Sequence, residues 1–221
     1  VTVLQSETQI GTSSSPFTSK VEIGTGTQMS VTGTASSPGI FKIEALNDIT
    51  AYDVVRVETV SGFGVSAGIS RITTNSEASI DIDGATLTNN MGDIYLTTKT
   101  DTAARPSINM FAAGAYSGSG GEANADVNPT NTVNLEDATV QARDIYVYAG
   151  RSSYAVGNQF EANVNMEMTT AALYGITVPV PKVNLDETNT VNVTGTSEIN
   201  GLQNVNFVAA EGPGGEYRAQ A

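Results

Sequence analysis

No cysteine, histidine or tryptophan occurs in the 221 residues. Without cysteine there is no disulfide, no thiolate nucleophile and no thiolate metal site. Without histidine the commonest general base and transition-metal ligand is missing, so serine-triad, cysteine-protease and zinc-hydrolase chemistry of the familiar kinds are excluded. Charge is scarce at 15% of residues, and positive charge scarcer still, with 10 Lys and Arg against 23 Asp and Glu and a net charge of −13. Such a chain repels phosphate backbones and anionic membrane surfaces, and no Lys/Arg run concentrates positive charge, so nucleic acid and membrane are set aside as partners. No apolar run reaches the roughly 18 residues that a membrane-spanning helix needs. Residue 1 is a valine with no basic-then-apolar leader after it, which reads as a mature or excised piece of something longer.

What remains is rich in Val, Ile and Ala, and in Thr, Asn, Ser and Gly. β-Branched residues favour strands and the small polar ones favour tight turns, so the expectation is an all-β chain. The pentapeptide TNTVN occurs at Thr130 and again at Thr188, 58 residues on. Aligning the two copies brings more into register. Val133-Asn134-Leu135, Ala138-Thr139-Val140 and Asp144-Ile145-Tyr146-Val147 match Ile80-Asp81-Ile82, Ala85-Thr86-Leu87 and Asp93-Ile94-Tyr95-Leu96 upstream. Downstream they match Val191-Asn192-Val193, Ile199 and Asn204-Val205-Asn206-Phe207. A looser first copy holds Val21-Glu22-Ile23, Met29-Ser30-Val31 and Phe41-Lys42-Ile43, with a further variant in Leu46–Ile49 and Val55–Thr59. Period-2 spacing puts the apolar side chains on one face and Glu22, Asp81, Asn134 and Asn192 on the other. The expected core is Ile80, Ile82, Ile94, Leu96, Val133, Leu135, Ile145, Val147, Val191, Val193, Val205 and Phe207.

A hexapeptide recurs as well, Glu122–Val127 against Glu161–Met166. It precedes TNTVN by 8 residues in one place and by 27 in the other, so the segment from about Thr169 to Asp186 adds 19. In a β-solenoid one whole coil can be added without disturbing its neighbours, whereas a sandwich or barrel would need an outside hairpin. The reading is therefore a single β-solenoid segment over 1–221, with coils of roughly 20 residues, strands of three to six residues and repeats near 21–59, 80–127, 133–185 and 191–221. No helix is expected, and Asn165–Leu173 reads as strand and loop. Thr12–Ser19 and Gly118–Gly121 read as loops. Gly214–Glu216 and Arg218–Ala221 read as the start of another Glu-Ala-Asn-Ala element, leaving an open end with unpaired strands.

The run Asn124–Val127, Asn131–Leu135, Ala138–Ala142 and Asp144–Gly150 resembles the repeats of large secreted bacterial exoproteins, the leukotoxin-like filamentous adhesins and filamentous haemagglutinins. The resemblance covers about residues 75 to 210. It implies a right-handed parallel β-helix, export to the cell surface and adhesive or fibre-forming roles.

Candidate chemistry is thin. Asp81, Asp83 and Gly84, with Asp93 downstream, offer oxygens but lack the spacing of calcium loops, so they read as an outward and a turn aspartate. Glu136-Asp137 and Asp186-Glu187 are adjacent carboxylates, which point to opposite faces of a strand and so form no preset two-carboxylate site. Tyr95, Tyr146, Tyr148, Tyr116, Tyr154 and Tyr174 are candidates for a stacking surface, and Tyr95 and Tyr146 occupy matched outward positions. Thr25-Gly26-Thr27 and Thr130-Asn131-Thr132 do not recur often enough for an ordered-water face. The sequon at Asn192 falls on an outward strand position. The expectation is a non-enzyme, an extracellular structural or adhesive segment of a surface fibre. It has no catalytic, metal or cofactor-binding residue, and ligand-binding residues stay unassigned. Its partners are copies of itself joined end to end through the coils, or a cell-surface or glycan ligand. Two rivals stay open: a polymerising filament or surface-layer subunit without a ligand, and a carbohydrate-active β-helix such as a lyase or tailspike.

Overall fold

Buried and exposed residues alternate along much of the chain, and the backbone follows that alternation. The computed structural model describes residues 1–209 and 218–220, and among these there is no helix. Eleven strands form one sheet: β1 (Thr2–Ile10), β2 (Phe17–Ile23), β3 (Gln28–Ser30), β4 (Ile40–Val60), β5 (Phe63–Asp83), β6 (Thr86–Glu136), β7 (Thr139–Ala149), β8 (Gln159–Leu185), β9 (Thr188–Thr194), β10 (Glu198–Ala209) and β11 (Arg218–Gln220). Every pairing between them is parallel. The sheet is long and is not closed into a barrel, an arrangement consistent with a β-solenoid.

The registers set the size of one pass. Val21 pairs with Ile80, Ile80 with Val133 and Val133 with Val191, so the chain crosses the same place four times and builds four layers. Successive partners lie 51 residues apart at the closest (Asp93 and Asp144) and 64 at the widest (Thr2 and Ser66). The expected coil of roughly 20 residues is therefore wrong by nearly a factor of three. The strands are also longer than three to six residues, because the ladder runs on through several bends, as in the 51 residues of β6.

The hexapeptide explains the error. Glu122–Val127 and Glu161–Met166 belong to one layer and never pair; Glu122 pairs with Ile69 and Val180, whereas Glu161 pairs with Ala103. Their inward residues, Ala123, Ala125 and Val127 on one side and Ala162, Val164 and Met166 on the other, enter the same core cluster. The two segments look alike because they are facing walls of one narrow interior. A Cβ on Gly121 would stand 3.0 Å from Met166 Cε, which shows how close the walls come. Thr169–Asp186 is accordingly no added coil, since Tyr174–Leu185 is the fourth-layer partner of Tyr116–Val127. Leu46–Ile49 and Val55–Thr59 are likewise no further repeat but later parts of the β4 strand that begins at Ile40, paired with Lys99–Thr102 and Ile108–Ala112. Gly118–Gly121 is strand and not loop, because Val65–Gly68 above and Ile176–Pro179 below complete its ladder. The Thr12 loop narrows to a tight turn, with Thr12 and Ser15 bonded to each other and Phe17 already in β2. Arg218–Gln220 pairs with Asn163–Asn165, inside the repeated hexapeptide; Gly214–Glu216 and Ala221 lie outside the described residues.

The interior has two apolar lobes. One is built of columns such as Phe41, Ile94 and Ile145, or Ile43, Leu96 and Val147. The other holds Val55, Ile72, Ile108 and Met110. Ile80, Ile82, Ile94, Leu96, Val133, Leu135, Ile145 and Val147 are all buried as expected, each contributing roughly 1.5–3 kcal/mol. Val191, Val193, Val205 and Phe207 continue the same columns but are not core as expected: in the fourth layer, at the end of the stack, Val191 is half-buried and Val193, Val205 and Phe207 are exposed.

Between the lobes lies a polar waist. Asn47, Thr100, Asn131 and Asn158 are buried there. Thr100 Oγ1 donates across the interior to Asn131 Oδ1 at 3.0 Å, and Asn131 Nδ2 donates to Asn189 Oδ1 in the next layer at 2.9 Å. Asn158 Oδ1 accepts from the Thr100 amide at 2.8 Å, while Asn47 Nδ2 donates to the Glu77 carbonyl on the opposite wall at 2.9 Å. These bonds tie the walls at one height and oppose a one-residue slip, while Asn47 Oδ1 is buried without a partner.

One bend repeats through all four layers in the left-handed region. Gly26, Gly84, Asp137 and Gly195 stack there with φ of 80°, 59°, 48° and 64°. Asp137 tolerates that conformation because its carboxylate takes the Thr196 amide at 2.7 Å and hydroxyl at 2.9 Å. Those two bonds hold its carboxyl below the ordinary carboxylate value. The folded state is therefore stabilised above the unfolded value of about 3.9, and the contribution disappears as pH falls through the lower folded value. Asp137→Asn should show a lower urea midpoint than the parent at neutral pH and the same midpoint near about pH 2. A gap that is equal at both pH values would refute this role of the charge.

Candidate functional site

Parallel in-register stacking turns any outward residue that recurs at the layer spacing into a column on the surface. Six tyrosines were candidates from the sequence, and the structure sorts five of them into two columns.

In the first column Tyr95 and Tyr146 stack with ring centroids 4.6 Å apart and planes 11° from parallel, as their matched positions predict. Tyr148 meets Tyr146 edge-on at 5.9 Å. Burial, reinforced by Asp93 and Asp144, pushes the Tyr95 and Tyr146 hydroxyls to higher pKa, and burial does the same for Tyr148. Arg143 lies beside them and bridges Asp144 at 3.2 Å and Asp93 at 2.7 Å, which locks its positive charge. The segment Gly150–Asn158 covers this column. It departs from the third layer and reaches the first, where Lys42 Nζ donates to Ser153 Oγ at 2.9 Å and sits 4.2 Å from the Tyr154 ring centroid. Tyr154 therefore joins no column; it caps one.

The second column is open. Phe63, Tyr116 and Tyr174 stack at 5.2 and 5.4 Å with planes 3° and 11° from parallel. They are 78%, 51% and 69% exposed. Beside them runs an open groove of about 520 Å³. Its floor is Gly118, which separates Val65 in the layer above from Ile176 in the layer below. Gly120 extends the floor between Ala67 and Val178. A Cβ at either glycine would meet nothing closer than 3.8 Å. Phe63 was missed from sequence, although the steps from Phe63 to Tyr116 and from Tyr116 to Tyr174, 53 and 58 residues, equal those of the core column Ile80, Val133 and Val191.

The acidic candidates are engaged in holding layers together. Asp81 pairs with Lys20 at 2.9 Å and accepts from Asn134 at 2.5 Å, and Asp83 accepts from Thr25 at 3.3 Å. Asp93 belongs to the Arg143 bridge, too far along the chain to complete a set with them. Glu136 is exposed while Asp137 turns the bend, so that pair does not converge. Glu187 accepts from Asn189 at 2.6 Å and from Asn158 at the edge of the waist, whereas the Asp186 amide bonds the Val127 carbonyl. An acidic cleft of about 410 Å³ gathers Asp48, Asp101 and Glu161, but Lys99 neutralises Asp101 at 2.6 Å and Arg105 neutralises Glu161 at 2.9 Å. Among the described residues no group of three acids is arranged to hold a metal ion. The Asn192 amide donates to Asn134 Oδ1 at 2.8 Å, extending the outward ladder.

Comparison with protein-family models, curated proteins and solved structures gives no match.

Proposed function

We propose that this chain is a non-catalytic segment of an extracellular fibre, a right-handed β-solenoid of the kind used by filamentous adhesins, whose work is done by its length, its stiffness and its repeated outer surface. The observation that carries the reading is the repetition of outward side chains in register. Tyr95 stacks on Tyr146, Thr130 lies beside Thr188, and Asn134 lies beside Asn192. A surface written this way repeats a side chain in adjacent layers, about 4.8 Å apart, which suits a repeated contact along a fibre better than a single reaction centre. Stiffness follows from the pairing: each layer bonds its neighbours along most of its backbone, and the columns of Ile and Val below exclude water. The resemblance of Asn124–Gly150 to exported adhesin repeats supports the same reading, with the fibre outside the cell.

Electron microscopy of the protein as isolated from its source tests this. Straight unbranched rods, or one straight arm of a larger molecule, are expected. Uniform fibres with an axial repeat of four layers, roughly 19 Å, would instead make the chain a self-assembling filament subunit. Shortening of a polysaccharide on incubation with the protein would overturn the non-catalytic reading in favour of a carbohydrate-active enzyme.

A further inference from the structure

The open aromatic column belongs to a larger apolar face. Its outward residues are Phe63 and Val65 in the second layer, Tyr116 in the third, and Tyr174, Ile176 and Val178 in the fourth. We propose that this face pairs with the same face of a second copy of the chain, side by side, about a two-fold axis. The inference goes beyond the fibre reading, since it holds equally for an adhesin segment and for a filament subunit.

Three features select a second copy. The first is size. Phe63, Tyr174 and Ile176 are 78%, 69% and 71% exposed, and with Val65, Tyr116 and Val178 they form one contiguous apolar face over three layers. A contiguous exposed apolar face of this kind marks an interaction surface. The second is charge. The chain carries −13 overall, yet none of these six residues is charged. The face is bordered by Arg71 and Lys182, both directed at Glu122 at 3.4 Å, so its edge is locally neutral to positive. Burial alone would raise the Glu122 carboxyl, but Lys182 and Arg71 bring it below its ordinary value and keep it ionised between them. Two strongly acidic molecules can therefore meet here without burying a like charge.

The third feature is relief. The third layer is a trough at Gly118 and Gly120, and the fourth is a ridge at Ile176 and Val178, one strand spacing away. A two-fold axis parallel to the strands, placed between these layers, exchanges them and leaves Phe63 and Val65 of the second layer at the rim. Ile176 of one copy then enters the trough over Gly118 of the other, Val178 enters over Gly120, and Tyr116 meets Tyr174. The patch is complementary to itself, as a closed two-fold interface requires, and the walls come together like the two sheets of a sandwich.

Sedimentation velocity of this chain over a concentration series is the first measurement, with a concentration-dependent dimer expected. Gly120→Leu should abolish the dimer while leaving the melting temperature and circular dichroism of the monomer unchanged, because the new side chain points into open space. The native chain has no cysteine, so single replacements report cleanly. An oxidised mixture of Gly118→Cys and Ile176→Cys should give the disulfide-linked heterodimer, and neither protein alone should. A chain that stays monomeric throughout, as it would if a glycan or an unrelated protein were the natural occupant, overturns the proposal. So does a dimer that Gly120→Leu leaves intact, or one in which the mixed cysteines do not cross-link.

Discussion

Ile145→Asp yields a chain that does not fold. Ile145 is fully buried, with Ile94 above it and Val205 below, and its column from Phe41 to Val205 is apolar throughout. A carboxylate there has neither a cation nor a hydrogen-bond donor within its column. Leaving a charge unpaired in such a place costs several kcal/mol even after relaxation, comparable with the whole stability of a domain. Circular dichroism should show loss of the strand signal and no cooperative melt. Ile145→Val is the control, expected to keep the fold at a cost of about 0.5–1.5 kcal/mol. A melt of Ile145→Asp indistinguishable from the parent would show that the residue points outward and that the columns are misassigned.

Asn131→Leu is expected to cost about 1–3 kcal/mol, although it places an apolar residue in the interior. The Asn131 amide is the cross-tie of the waist: its oxygen receives Thr100 and its nitrogen reaches Asn189. Leucine leaves the Thr100 hydroxyl without its acceptor, in a place that water does not reach, and weakens the hold on Asn189. Orphaned buried groups lose their full solvation, which outweighs the gain from one more aliphatic side chain. The double variant Asn131→Leu, Thr100→Val removes donor and acceptor together and should recover part of the loss in urea unfolding. Equal stability of Asn131→Leu and the parent would mean that the amides do not hold the walls.

Much of this was readable from the chain, and the part that was not has physical reasons. The 58-residue spacing of the two TNTVN copies is one full pass, and the triplets aligned on it, from Ile80-Asp81-Ile82 to Val191-Asn192-Val193, are true neighbours. Stacked strands select like for like, so in-register repetition survives in the letters. Size of the pass was misjudged because alternation with period two reports which face a residue takes and not which wall it stands on. Glu122–Val127 and Glu161–Met166 obey the same pattern for opposite walls. The waist was hidden for a related reason: Asn131 and Thr100 occupy inward positions, where polar letters look like breaks in the pattern until the partner across the interior is known. The open column was legible in the spacing of Phe63, Tyr116 and Tyr174, yet a search confined to tyrosine passed over Phe63. Nothing in the sequence announces the cap over Tyr95 and Tyr146, because Lys42 and Ser153 lie 111 residues apart and have no repeated counterpart.

The long pass has a consequence for how the molecule comes into being. Partners on adjacent layers are separated by 51 to 64 residues, so the relative contact order is near ~0.25, at or above that of slow all-β domains. Bringing two such segments together for the first time costs loop-closure entropy of roughly 3–4 kcal/mol before any neighbouring bond repays it. Once two layers exist, the outer one is a finished edge, and the next stretch of chain docks onto it a few residues at a time. Birth of the structure is thus the slow event and growth the fast one, and a chain that becomes free from one end grows in the order in which it appears.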